Sequence, residues 1–247
     1  MNEPSAAPQR DDDRLPHEYD HRHSDVSGGW LRAATFGAMD GLVSNTSLIA
    51  GVGAASVDAH TVVLTGVAGL VAGAFSMALG EYTSVTTQNE QFAAEVNVER
   101  GALQRHPEAE LNELTAQFVS MGMTPETAAR AAAEVSTDTE RALDVHVTQE
   151  LGIDPDAEPS PYVAAISSFA LFSVGALIPL IPYLLGFSSL TAGLLTGCAG
   201  LLLVGALTAR FTARSAWRAA IRQLILGAIA IGATYAVGSA IGVGIGG

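Results

Sequence analysis

The sequence predicts an all-α membrane protein with five transmembrane helices and a cytoplasmic helical insert between the second and third. Two observations carry that expectation. The 247-residue chain has a mean hydropathy of +0.32, 49% hydrophobic residues, 26 glycines and only 15% charged residues, a balance too apolar for an average soluble domain. Five apolar stretches, roughly 31–55, 61–82, 162–186, 189–209 and 220–243, approach or exceed the about 20 residues that a helix needs to cross a bilayer. They come as a pair, a gap and a triplet.

Residues 1–29 are polar and acidic, with DDDRLPHEYDHRHSD and neither the apolar core nor the cleavage site of a signal peptide. A disordered cytoplasmic tail with solvated histidines is expected there. Residues 30–86 carry the first two spans. Asp40 lies about ten residues into the first and shares a helical stripe with Ser44 and Ser47, while Met77, Glu81 and Ser84 share one in the second. An acid at membrane depth is costly and marks a functional path by default.

Residues 87–160 read as soluble helices: QNEQFAAEVNVERGALQRH, PEAELNELTAQFVSMGM, TPETAARAAAEVS and TDTERALDVHVTQELG. Pro107 and Pro125 suit first helical turns, Thr124 suits an N-cap, and Gly152 ends the last helix. Between Glu81 and Glu158 there are 16 acidic residues against four arginines, so much of the net charge of −13 resides here. Such a balance excludes a nucleic-acid reader. Glu95 with Glu99, Glu110 with Glu113, and His146 with Glu150 are three or four apart and can each share a helix face. Carboxylates and an imidazole on facing helices suit iron(II), manganese or zinc, although the same spacing arises on any solvated acidic helix.

Residues 161–247 hold the last three spans. Pro179 and Pro182 predict a kink in the third, and Cys198, the single cysteine, is expected to pack in the fourth without disulfide or thiolate-metal chemistry. Gly37 and Gly41, Gly69 and Gly73, and Gly193 and Gly197 form G-x-x-x-G pairs that permit close helix approach. All 12 basic residues are arginines, found in the tail and first-span edge, the central region, and residues 210–222. The positive-inside tendency then places the tail, the insert and that connection in the cytoplasm, with the C-terminus outside.

GAMDGLVSNTSLIAGV, SMALGEYTSVTTQNE, an acidic insert ending in HVTQELGI, and ALIPLIPYLL occur in that order. Together they resemble the vacuolar iron transporter family, also seen in bacteria, over roughly residues 29–243. The resemblance implies a transporter and not an enzyme, moving iron(II) and often manganese out of the cytosol against protons. It further implies a metal-binding cytoplasmic insert and a homodimer whose interface carries the cation path, and a bacterial plasma membrane is the expected location.

Carried over by residue, the resemblance puts the family's first-span aspartate at Asp40, its second-span methionine at Met77, and the neighbouring glutamate at Glu81. The insert's glutamates fall on Glu99, Glu110, Glu113 and Glu150. A further glutamate is replaced by Ala102, and two methionines of plant relatives by His146 and Val147. Doubled by a two-fold axis, Asp40 and Met77 would offer two carboxylates and two thioethers to a dication. Proton and metal would compete for those carboxylates.

Two rival readings fit less well. A ferritin-like ferroxidase needs paired E-x-x-H motifs on core helices, and the one match here, Glu18 to His21, lies in the tail. A membrane-anchored metal buffer or sensor would bind through the insert, but has no use for Asp40.

Overall fold

The computed structural model describes residues 30–55, 57–152, 158–211 and 215–245. The histidine-bearing tail stretch HEYDHRH lies outside them. Every described element is helical. In chain order they are α1 (Trp30–Ala54), α2 (Ala59–Arg105), α3 (Pro107–Ser120), α4 (Pro125–Val135) and α5 (Thr139–His146), which runs into a π-helical turn (Val147–Leu151). There follow α6 (Pro161–Leu177), a 3-10 turn (Ile178–Leu180), α7 (Ile181–Leu184), α8 (Leu190–Phe211) and α9 (Ala216–Ile245).

The centre of the bundle is α1, which packs against α6, α9, α2 and α8. Gly37 and Gly41 lie against the backbone of Ser168 and Phe172, while Gly51 lies against Thr234 and Gly238 and Ala55 against Gly242. Residue numbers rise together in these contacts, so α1, α6 and α9 run parallel. Thr46 meets Gly197 while Leu42 meets Gly200, and Arg32 meets Glu81 while Asn45 lies by Gly69. Numbers there run oppositely, so α8 and α2 are antiparallel to α1. The N-termini of α1, α6 and α9 therefore share one end of the bundle, where α8 finishes and from which α2 projects.

Four segments are long and apolar enough to cross a membrane, namely α2, the Pro161–Leu184 segment, α8 and α9. The sequence predicts five. The missing one is α1, and its position explains why. Because neighbours surround it, α1 can carry buried Asn45, Thr46 and Ser47 where lipid-facing helices need hydrocarbon. Asn45 Nδ2 donates to the carbonyl of Ala176 at 2.5 Å, which offsets part of the roughly 1–3 kcal/mol that an unpaired buried polar group costs.

All three glycine pairs serve contacts within the chain. Gly69 faces Leu48, Gly73 faces Phe172, Gly193 faces Tyr183, and Gly197 faces Thr46. A Cβ on Gly41 would run into the carbonyl oxygen of Phe172 and come within 2.9 Å of the Ala176 nitrogen, both rigid backbone atoms. Gly41→Ala is expected to force α1 and α6 apart and destabilise the bundle by roughly 1–3 kcal/mol. A thermal melt of the purified protein checks this, and an unchanged midpoint would contradict the packing.

Helix α6 gives way to the 3-10 turn where Pro179 and Pro182 lack N–H donors, as the sequence predicts. The second span and the first predicted insert helix are one 47-residue helix, since neither Gly nor Pro interrupts residues 81–100. The insert is thus built on a rigid extension of a membrane helix. Its small core is Leu114, Phe118, Ala128 and Ala132, with Ala142, Leu143 and Val147 of α5 and its turn also buried. Pro107 and Pro125 open α3 and α4, and Thr124 caps α4 by accepting from Thr127 N at 3.4 Å.

Candidate metal centre

Four side chains from separate helices meet at one point in the insert. Glu99 projects from α2, about 26 Å beyond Tyr82 at 1.5 Å per residue. Glu110 comes from the first turns of α3, which starts after the break at His106 and Pro107. His146 ends α5, and the wide π-turn that follows carries Glu150. Gly152, at φ 65°, then leaves the helix in a left-handed conformation that glycine adopts without strain.

The imidazole of His146 is the hub. It is fully buried, and its Nδ1 lies 3.0 Å from Glu150 Oε1, 3.3 Å from Glu99 Oε1 and 3.9 Å from Glu110 Oε2. One ligand atom each from Glu99, Glu110 and His146 falls within a 4.8 Å span. Glu99 Oε1 is buried and, although 3.3 Å from His146 Nδ1, makes no well-aligned hydrogen bond, and His146 Nε2 is buried with no hydrogen-bond partner. Three carboxylates around one buried ring, with an orphaned oxygen among them, form a cage short of positive charge.

The electrostatics say the same. Burial raises the Glu99 carboxyl above the ordinary carboxylate range. The charge of Glu150 adds to that, His146 opposes it, and Glu110 and Glu113 contribute lesser repulsion. A dication among these groups would reverse the penalty. Oxygen, oxygen and imidazole nitrogen form a donor set suited to manganese, iron(II) or zinc.

A family model described as the VIT family matches residues 31–239. The chain belongs to the VIT family. It is 36% identical over 225 residues to "Vacuolar iron transporter" of Acanthamoeba castellanii, covering 88% of this chain and 81% of that protein. "Vacuolar iron transporter homolog 1" of Oryza sativa subsp. japonica is 32% identical, with 84% and 72% covered. "Vacuolar iron transporter 1" of Eucalyptus grandis is 27% identical, with 87% and 88% covered.

Within this VIT chain the other predicted positions have distinct surroundings. Glu113 is exposed and reaches the cluster only through its charge. Glu95 is exposed. Asp40 is partly buried and accepts a hydrogen bond from Ser44 Oγ at 2.9 Å, along the stripe read from the sequence. Met77 packs beside Ala74, Phe172 and Ala176. Glu81 is buried and pairs with Arg32 at 3.1 Å, a partner that sequence reasoning missed because 49 residues separate them. Glu99, Glu110, His146 and Glu150 are all candidates from the sequence, the glutamates also by resemblance, and the fold brings these four together from separate segments.

The raised Glu99 carboxyl gives a pH dependence. Metal must displace its proton, so affinity is expected to fall as pH drops through that raised value and to level off above it. In the metal-free chain the sign is opposite. The protonated form is favoured in the fold, so stability declines as pH rises from the unfolded carboxylate value to the folded one. Calorimetric titration with manganese in two buffers of different ionisation enthalpy should show proton release in that window. Affinity and proton release that do not vary with pH across it would contradict the assignment.

Proposed function

We propose that the chain is a transporter that moves divalent transition metal, iron(II) and manganese, out of the cytosol in exchange for protons. The observation that carries this reading is the Glu99, Glu110 and His146 cage, held on an extension of the same helix that contains Met77 and Glu81. Glu150 completes the insert site and Glu113 adds charge beside it. The cage collects the dication, and Asp40 with Met77 passes it through the membrane.

In this reading α1 is a fifth span. At 25 residues it is about 37 Å long, more than the roughly 30 Å hydrocarbon core. Its parallel run with α6 and α9 supports the same traverse. With five spans and the arginine-bearing end in the cytoplasm, the N-terminus and insert are cytoplasmic and the C-terminus is outside, in a bacterial plasma membrane. A homodimer brings two copies of Asp40 and Met77 together as two carboxylates and two thioethers. Proton and metal exclude one another at the carboxylates, which couples their movements. Glu81 holds Arg32 at the cytoplasmic entrance.

Flux of iron(II) and manganese into proteoliposomes, with and without an imposed pH gradient, tests the whole reading. Metal binding without flux would favour a membrane-anchored buffer instead. Selectivity has its own test. Met77→Leu preserves volume, so folding should survive at a cost under about 1.5 kcal/mol. Loss of a soft thioether should lower iron(II) flux more than manganese flux. Equal slowing of both metals would remove Met77 from the choice of ion.

A further inference from the structure

Four aromatic residues mark a level at one end of the bundle. Trp30 opens α1, Tyr82 lies on α2, Tyr162 opens α6 and Trp217 opens α9, and the helix directions described above bring all four to the end from which α2 projects. The rings of Tyr82 and Tyr162 meet edge to face at 5.3 Å, and Trp217 is 71% exposed. Amphipathic rings gather in this way where a bilayer meets water.

The arginines near this level differ in their partners. Arg32 is neutralised by Glu81. Arg218 and Arg222, one turn apart on α9, are both exposed, and neither has a carboxylate within 4.0 Å among the described residues. Arg222 lies about 7.5 Å further into the bundle than Trp217 along the helix, with exposed Ile225 and Leu226 beyond it. A guanidinium at that depth is costly unless an anion meets it. Trp217, Arg218, Ile221, Arg222, Ile225 and Leu226 line an open groove of about 360 Å³. Its charge is at the aromatic end, and its far end is hydrocarbon.

We propose that this groove binds an anionic phospholipid, with the phosphate between Arg218 and Arg222 and an acyl chain along Ile221, Ile225 and Leu226. Guanidinium groups match phosphate oxygens in charge and in fork geometry, and the order of charge then hydrocarbon along α9 is that of a lipid entering the membrane. The site is separate from the metal cage and does not depend on metal transport.

Native mass spectrometry of the full chain in detergent, with phosphatidylglycerol or phosphatidylcholine of matched acyl chains, provides the test. The protein should retain phosphatidylglycerol preferentially. R218Q with R222Q should weaken that binding about fivefold for each arginine removed, whereas R218K with R222K, which keeps the charge but loses the fork, should weaken it less. Both arginines are exposed, so the fold should tolerate either pair. Equal retention of the two lipids, an unchanged preference in the glutamine variant, or full competition by inorganic phosphate would overturn the proposal.

Discussion

Asp40→Asn is expected to abolish metal flux into proteoliposomes while the protein still inserts, folds and binds metal in its insert. Asparagine has the same shape and keeps an oxygen that can accept the Ser44 hydroxyl, which donates to Asp40 Oδ1 at 2.9 Å. The substitution therefore isolates the charge. In the proposed path Asp40 pairs with the dication, and losing one member of a close, partly desolvated charge pair costs about 2 kcal/mol or more, so flux should drop about thirtyfold or more. Its protonatable group is lost as well, so any residual flux should ignore an imposed pH gradient. Near-normal, gradient-sensitive flux would sink the proposed path.

The second large effect lies in the insert. Glu99→Gln with Glu110→Gln removes two of the three ligands that converge within 4.8 Å and leaves Glu150 as the one carboxylate against His146. Metal affinity of the full chain should fall about 100-fold or more, beyond the 10- to 100-fold typical of losing an outer-shell partner. Stability of the metal-free chain should move the other way. Burial and the charges of Glu150, Glu110 and Glu113 all disfavour the ionised form of Glu99, and glutamine carries no such penalty. Tighter folding with lost binding is the signature of a site kept for function at a cost in stability. If calorimetry finds unchanged affinity, these acids are a solvated surface, and the cage has no role in gathering metal.

The two substitutions also separate the parts of the proposed mechanism. Asp40→Asn should leave binding intact and stop flux. The double glutamine variant should weaken binding and slow flux at low metal concentration, while flux recovers when metal is abundant. Opposite outcomes would place the selective step at the other end of α2.

Features set by neighbouring residues could be read along the chain. Pro107, Pro125 and Thr124 set the starts of α3 and α4, Gly152 ends the turn after α5, and Pro179 with Pro182 breaks the helical pattern after α6. The Asp40–Ser44 stripe was legible for the same reason, because a spacing of four is a contact on one helix. Spacing could not say which acids cooperate. Glu95 with Glu99 and Glu110 with Glu113 are equally good pairs along the chain, yet the fold turns Glu99 and Glu110 toward His146 and leaves Glu95 and Glu113 exposed. Only the angles at which α2, α3 and α5 pack make that choice. The Arg32–Glu81 pair is likewise decided by α2 folding back along α1. The polarity of α1 also depends on the fold. Hydropathy measures how a segment suits lipid, but α1 packs against α6, α9, α2 and α8, so its buried polar residues answer to those neighbours, which the sequence pattern does not reveal.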